Sequence, residues 1–198
     1  MIAGVLLLAA LALLAGCGGD DETAAPPAQD PLVRTLREGG HVLVMRHAKT
    51  ESTTDRQEFL RSCELQRNLS EEGRAQAREL GEAIRALRIP IGEVRSSPMC
   101  RTRDTARLAF GDVTLDRDLV SPGVIGTEAG DERRAQAMRA MVEAVPPAGE
   151  NTVLVTHTGN IGAALAEGTV AEGEVLVYGE GAELVDRVPP ERWAELRR

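Results

Sequence analysis

The segment HVLVMRHAKT, residues 41–50, combines the features of a buried strand with two cationic side chains. Its apolar run, Val42 to Met45, is typical of a strand that is buried on both faces of a parallel sheet. Arg46 and His47 follow directly, with no turn residue between them. Because both groups are costly to bury without a partner, the segment indicates a site at the end of this strand.

A second segment repeats the arrangement, since TVLVTH, residues 152–157, is an apolar run that ends in His157. Ligands bind at the carboxyl ends of strands in open α/β sheets, so the two histidines are expected to meet there if their strands are neighbours. In SSPMCRTRDTA, residues 96–106, Arg101 lies at the start of a predicted helix, where the helix N-terminus and the guanidinium both favour an anion. Two arginines and two histidines around one cavity predict a site for a phosphoryl group, with one imidazole as the nucleophile.

Each of these residues also has a simpler interpretation when it is taken alone. A single histidine after a strand is usually a hydrogen-bonded capping residue, and Arg101 could be a charge on a helix surface. His41 is interpreted as a strand-edge residue without function and Lys49 as a solvated loop residue. No H-x-x-E-H or H-E-x-x-H spacing supplies a zinc site, and Arg46 beside His47 would repel a divalent ion. We therefore expect no metal and no other cofactor.

The composition limits the class of protein. A chain of 198 residues, 42% hydrophobic and 27% charged, fits one ordinary globular domain with a proper core. A net charge of −8 and an aromatic content of 2% argue against nucleic acid as a partner. The expected partner is a small phosphorylated substrate, and the protein is predicted to be a monomer.

The first thirty residues are predicted to lie outside the folded domain. Ile2–Ala15 is shorter than the stretch of about 20 apolar residues that spans a bilayer, but it has the length of a signal-peptide core. Leu14-Ala15-Gly16-Cys17 resembles the lipobox of bacterial lipoproteins, which implies that residues 1–16 are a cleaved signal peptide and that Cys17 carries lipid. The alternative is an ordinary secreted protein cleaved nearby. Residues 17–30 are predicted to be an acidic flexible tether, and the anchored protein is expected to lie outside the cytoplasm.

Residues 31–198 are predicted to form a single α/β domain. Ser70 caps a helix that carries Glu71 and Glu72 in its first turn, and strand EVRSS, residues 93–97, leads to a helix over 101–110. The other predicted elements are a strand near 113–119, a helix marked by Ala135, Met138, Val142 and Val145, a helix from about 160 and a hairpin turning at 179–181. This alternation predicts a three-layer sandwich with a mostly parallel sheet, helices on both faces and an antiparallel C-terminal edge strand.

Taken in order, these segments resemble the histidine phosphatase (phosphoglycerate mutase-like) superfamily. The family's Arg-His-Gly motif appears as Arg46-His47-Ala48, its L-[ST]-x-x-G-x-x-Q-A segment as residues 69–77, its SSPxxRxxxTA segment as residues 96–106 and its second histidine as His157. The resemblance implies that His47 is the nucleophile that becomes phosphohistidine. It also implies that Arg46 and Arg101 bind the phosphoryl oxygens and that His157 completes the pocket.

The chain departs from the family pattern most clearly at the general acid. Ala48 replaces a glycine, a small change that we expect to be tolerated, and Thr158 stands where many members have glycine. Members often carry glutamate in an L-x-E segment after the third strand, but here Leu119-Val120 is followed by Ser121. The remaining candidates for the acid are Asp55, Glu128 and Asp131.

The leading hypothesis is a metal-independent phosphatase that hydrolyses phosphomonoesters, or a phosphorylated component of the cell envelope, through a phosphohistidine intermediate. The alternative, favoured by the missing acid, is a catalytically weak member that binds a phosphorylated ligand without turnover. A third hypothesis is a structural lipoprotein on the same fold. Substrate specificity is expected to lie in the loops at 49–66 and 118–131.

The three cysteines suggest a disulfide. If lipid occupies Cys17, Cys63 and Cys100 remain as an even pair, and disulfides persist outside the cytoplasm. We therefore predict a Cys63–Cys100 bond that fixes the loop after the first strand to the helix of Arg101. The alternative is two unrelated buried thiols.

Overall fold

A mixed sheet of six strands organises residues 30–197, the part of the chain that the computed structural model describes. The strands are β1 (Val42–Arg46), β2 (Ile91–Ser96), β3 (Thr114–Leu115), β4 (Asn151–Thr156), β5 (Val175–Tyr178) and β6 (Leu184–Val188). Their order across the sheet is β3-β2-β4-β1-β5-β6. The first four strands pair in parallel, whereas β5 is antiparallel to β1 and to β6. The predicted α/β fold, with a mostly parallel sheet and an antiparallel edge, is confirmed.

Helices cover both faces of the sheet. They are α1 (Pro31–Glu38), α2 (Glu71–Ala86), α3 (Cys100–Phe110), α4 (Glu128–Glu143), α5 (Thr158–Leu165) and α6 (Pro190–Leu196). Because successive side chains of a strand point to opposite faces, Leu43 and Met45 pack towards α1, α2, α3 and α6, whereas Val42 and Val44 pack towards α4 and α5. The apolar run of β1 is therefore explained by a core on each of its faces.

Local signals set the start of the two longest helices. Ser70 Oγ accepts a hydrogen bond of 3.0 Å from the backbone N–H of Gly73 at the start of α2, as the sequence predicts. Thr127 caps α4 in the same way through the N–H of Gly130. The prediction that Val145 belongs to the buried face of α4 is wrong, because the helix ends at Glu143 and Val145 is 75% exposed. Val145 precedes a proline, which disfavours the helical conformation at that position.

Two short helices and one strand differ from the sequence-based prediction. Helices α1 and α6, of eight and seven residues, were not predicted, and each has proline in its first turn. The strand expected near 113–119 is only two residues long, and a 3₁₀ turn over Arg117–Leu119 follows it. The sheet edge at β3 is consequently short.

The predicted signal peptide, residues 1–16, and the lipidation residue Cys17 lie outside the described residues, as does all of the predicted tether except Asp30. Within residues 30–197, no helix is both long enough and apolar enough to cross a membrane.

Candidate active site

The carboxyl ends of three neighbouring strands bring the predicted site residues together. β1 and β4 pair in parallel with Arg46 opposite Thr156, so His47 and His157 leave the sheet side by side. Their ring centroids are 5.6 Å apart, with an angle of 61° between the ring planes. β2 lies on the other side of β4, and the segment after it leads into α3, which carries Arg101.

His47 is held in one orientation and one tautomer. Its Nδ1 lies 2.9 Å from the carbonyl oxygen of Ala48. A carbonyl can only accept, so Nδ1 carries the proton and Nε2 keeps a free lone pair. Burial lowers the pKa of His47 to about 3, with help from the charges of Arg101, Arg46 and Arg67 and against the raising effect of the Ala48 hydrogen bond. The ring is therefore uncharged at neutral pH, with an unprotonated nitrogen at Nε2.

The alanine that replaces the family glycine fits this arrangement. Ala48 is fully buried and packs with Leu69 and Ala77 in a small apolar cluster. Its backbone N–H donates to Thr105 Oγ1 at 3.0 Å, which ties the residue after His47 to α3. The extra methyl group is thus accommodated in the core.

His157 is a second uncharged imidazole. Its Nε2 lies 3.0 Å from the hydroxyl of Ser97, the residue that follows β2. Burial lowers the pKa of His157 well below its ordinary value, and the positive charge of Arg101 lowers it further. His157 is therefore neutral beside His47.

The two arginines supply fixed positive charge. Arg46 donates from Nη1 to the carbonyl of Val170 at 2.6 Å, and its Nη2 lies 3.4 Å from Glu172 Oε1. Arg101 Nη1 lies 3.4 Å from Asp55 Oδ1. The Nε atom of each arginine is buried and has no hydrogen-bond acceptor among the described residues. Guanidinium N–H groups held in this way suit the oxygens of a phosphoryl group.

Comparisons with known proteins agree with this geometry. The model of the histidine phosphatase superfamily (branch 1) matches residues 42–120, which include β1, α2, β2 and α3. This part of the chain, which carries Arg46, His47 and Arg101, is similar to the histidine phosphatase superfamily. No curated protein matches the chain.

Solved structures of other proteins have a similar fold. The protein histidine phosphatase SixA complexed with tungstate has a TM-score of 0.52 and 14% identity, and the alignment covers 77% of this chain and 98% of that chain. SixA from Agrobacterium tumefaciens has a TM-score of 0.53 and 20% identity, with 76% and 98% covered. A phosphoserine phosphatase mutant from Entamoeba histolytica, in complex with phosphoserine, has a TM-score of 0.54 and 13% identity, with 76% and 98% covered.

Arg67 is a cation near this site that the sequence did not reveal. Its positive charge lowers the pKa of both His47 and His157. Its guanidinium forms no ion pair with a carboxylate of the described chain. Its backbone N–H donates to Asp55 Oδ1 at 2.7 Å, which fixes the loop beside Arg101. Arg67 lies in a long loop without periodicity, so no local pattern distinguishes it from a solvated charge.

The three candidates for the general acid lie in different surroundings. Asp55 contacts the site, where it accepts from Arg101 and from the N–H of Arg67. Asp131 accepts from Arg134 and from the N–H of Gly123. Glu128 is exposed at the start of α4. Within the described range, neither of the last two hydrogen-bonds or forms an ion pair with the four predicted site residues.

A disulfide joins Cys63 to Cys100, with the two Cα atoms 5.7 Å apart. Cys63 belongs to the 3₁₀ turn Cys63–Leu65, and Cys100 is the first residue of α3. The side chain of Gln66 accepts from the N–H of Cys100 at 2.8 Å and so supports the same junction. The loop that carries Asp55 and Arg67 is therefore fastened to the helix of Arg101.

Replacing both Cys63 and Cys100 by serine is expected to lower the free energy of unfolding by about 3–4 kcal/mol, because the bond closes a long loop in the unfolded chain. Denaturant unfolding of the oxidised protein and of the double variant measures the difference. Intact-mass analysis after alkylation without reductant gives the direct check. Two alkylated cysteines in the mature protein would show that the bond does not form.

Burial of neutral His47 predicts a pH-dependent stability. Its pKa is about 3 in the folded protein and about 6.5 in the unfolded chain, so the unfolded chain binds more protons between these values. The stability that the folded protein gains from keeping His47 neutral is complete above pH 6.5 and is lost as the pH falls towards 3. Between pH 7.5 and pH 5 the loss is about 2 kcal/mol for this residue. Denaturant unfolding of wild type and of His47→Asn at both pH values measures this loss. If the free energy of unfolding changes with pH equally in the two proteins, the prediction is contradicted.

Proposed function

We propose that the protein is a phosphatase that hydrolyses phosphomonoesters, or a phosphorylated envelope component, through a phosphohistidine intermediate on His47. The observation that carries the proposal is the fixed tautomer of His47, which leaves Nε2 unprotonated near two guanidinium groups whose Nε atoms are buried. Two proteins of the same fold were solved with tungstate and with phosphoserine, which supports a phosphorylated ligand here.

The reaction is a double displacement. In the first step the lone pair of His47 Nε2 forms a bond to phosphorus, and the bond to the leaving oxygen breaks with its electron pair. Arg46 and Arg101 hold the phosphoryl oxygens, so charge that develops on them is met by donors already in place. His157 lies close enough to His47 to contact the same group. In the second step water attacks phosphorus, and the electron pair of the N–P bond returns to Nε2.

The leaving group limits the range of substrates. Asp55 accepts hydrogen bonds from the side chain of Arg101 and from the N–H of Arg67. A carboxylate that accepts from two donors is poorly suited to give a proton to the leaving oxygen. A substrate whose leaving oxygen needs no proton should therefore react faster, so we expect aryl phosphates to exceed alkyl phosphates in rate. The acceptor role of Asp55 also favours the second candidate function, a protein that binds a phosphorylated ligand without turnover.

The test is hydrolysis of an activated aryl phosphate by the purified domain. Activity is expected to persist in excess chelator and to be inhibited by vanadate, whose trigonal-bipyramidal adduct mimics in-line transfer. Rapid quenching should trap a phosphoprotein that is stable to base and labile to acid. A trapped phosphoprotein with no subsequent turnover would favour the second candidate. Activity lost in chelator and restored by a divalent ion would overturn the metal-independent mechanism.

We also propose that the domain over residues 31–198 acts outside the cytoplasm, held to the membrane by lipid on Cys17. The lipobox-like motif at 14–17 supports this location, and so does the disulfide, since disulfides persist in oxidising compartments. Labelled fatty acid that enters wild type and Cys17→Ser equally would contradict the anchor.

A further inference from the structure

Glu172 is a carboxylate at the candidate site to which no role has been assigned above. It lies in the segment between α5 and β5. Its Oε1 accepts a hydrogen bond of 2.8 Å from the hydroxyl of Thr50 and lies 3.4 Å from Arg46 Nη2. The N–H of Thr50 lies 3.4 Å from the other carboxylate oxygen. Glu172 thus contacts the chain both before and after His47.

The backbone around Glu172 is fixed to the same segment. Gln76 on α2 donates to the carbonyl of Glu172 at 3.3 Å and accepts from the N–H of Lys49 at 2.9 Å. Gly173 donates its N–H to the carbonyl of His47 at 3.0 Å. Gly173 has a φ of +84°, and a Cβ there would lie 2.5 Å from the side chain of Gln76. The positive φ favours glycine at position 173, and the bond from its N–H to the carbonyl of His47 holds the Glu172 segment beside His47.

The carboxylate faces the protonated side of the His47 ring. Its Oε1 lies 4.0 Å from Nδ1, the nitrogen whose proton is donated to Ala48. Nε2, which attacks the phosphorus, is the other ring nitrogen. Glu172 is thus placed to act on the charge of the ring and not as the proton donor to a leaving group bound at Nε2.

We propose that Glu172 is a positioning residue that orients Arg46 and stabilises the positive charge that His47 gains when it takes the phosphoryl group. The inference rests on the proposed function. When the Nε2 lone pair forms the N–P bond and the leaving oxygen departs with its electron pair, Nδ1 keeps its proton, so the ring becomes a cation. The leaving oxygen takes its proton from water. Hydrolysis returns the electron pair to Nε2 and the ring to neutrality.

The charges around the ring explain why this stabilisation is needed. Arg46, Arg67 and Arg101 each lower the pKa of His47, so each opposes a positive charge on the ring. These arginines favour the bound dianion, but they disfavour the phosphohistidine cation. A carboxylate whose side chain is only 24% exposed, close to Nδ1, offsets that repulsion in the transition state.

Glu172→Gln tests the charge of residue 172 separately from its role in orienting Arg46. Glutamine has nearly the same shape and can still accept from Thr50, but it carries no charge. We expect kcat for an aryl phosphate to fall about tenfold, since the ring cation loses its counter-charge. Orthophosphate and vanadate should bind about two- to fivefold more tightly, because a negative charge beside the anion site has been removed. Glu172→Asp keeps the charge and should recover part of kcat.

Glu167→Gln is the matched control. Glu167 lies in the same segment, its side chain is 19% exposed, and it pairs with Arg187 at 3.4 Å. It makes no hydrogen bond or ion pair with His47 or Arg46 in the described chain. This variant should keep both the wild-type kcat and the wild-type affinity for orthophosphate. Thermal unfolding of all variants shows whether each is folded.

The outcomes are distinct. A lower kcat with tighter anion binding in Glu172→Gln supports the proposal. A wild-type kcat overturns the proposal, because it shows that the charge of Glu172 has no role. A lower kcat together with weaker anion binding also overturns it, because it shows a general disturbance of the pocket. If wild type itself neither turns over an aryl phosphate nor forms phosphohistidine, the proposed function fails first and this inference fails with it.

Discussion

Replacing His47 by asparagine is expected to lower kcat at least about a thousandfold, because a residue that forms the covalent intermediate cannot be bypassed by its neighbours. His47 is 2% exposed, and its Nδ1 is bound to the carbonyl of Ala48. Asparagine has no nitrogen with a free lone pair to take the place of Nε2. Steady-state kinetics with an aryl phosphate measures the loss, and the trapped phosphoprotein should disappear with it.

His41→Asn is the control for this experiment. His41 lies at the other end of β1, where its Nδ1 lies 2.8 Å from the carbonyl of Gly39. It belongs to the same segment of sequence, but it is remote from the carboxyl edge of the sheet. This variant should retain the wild-type kcat. Turnover within a few-fold of wild type in His47→Asn, with the phosphoprotein still formed, would exclude His47 as the nucleophile.

The parts of the site that the sequence predicted come from elements with strong local signals. A parallel strand with a core on each face needs a continuous apolar run, so β1 and β4 are evident, and polar residues at their ends stand out. The cap at Ser70 is equally local, since one hydroxyl and one N–H three residues later define it. His47, His157, Arg46 and Arg101 all lie directly at the ends of such elements.

The residues that the sequence did not reveal depend on tertiary contacts. Arg67 and Glu172 lie in loops, and contacts with residues far away in the sequence hold each loop at the site. Gln66, next to Arg67, accepts from the N–H of Cys100 in α3, and Gln76 in α2 donates to the carbonyl of Glu172. Nothing in the spacing of either residue records these contacts. The short helix α1 is similar, because burial of Leu36 in the core stabilises it more than its own eight residues can.

Replacing Arg101 by methionine is expected to lower kcat/KM by about 100- to 1000-fold, the loss seen when one donor to a developing oxyanion is removed. Arg101 is 6% exposed, and its buried Nε has no acceptor in the described chain, so its Nε–H is available to a phosphoryl oxygen. Arg101→Lys should recover only part of the rate, because a lysine ammonium cannot present two parallel N–H groups. Arg107→Met, on the exposed side of the same helix, is the control and should keep wild-type kinetics.

Kinetics and thermal unfolding of Arg101→Met together separate binding of the anion from stability of the fold. A buried guanidinium whose nearest carboxylate, that of Asp55, is 3.4 Å away contributes little net stability, so Arg101→Met should unfold at a temperature close to that of wild type. Inhibition by vanadate should weaken in parallel with kcat/KM, because both depend on the same oxygens. If kcat/KM stays within about threefold of wild type in a folded Arg101→Met, transition-state charge is stabilised elsewhere. Arg67, whose backbone N–H binds the same Asp55 carboxylate as Arg101, would then be the residue to replace next.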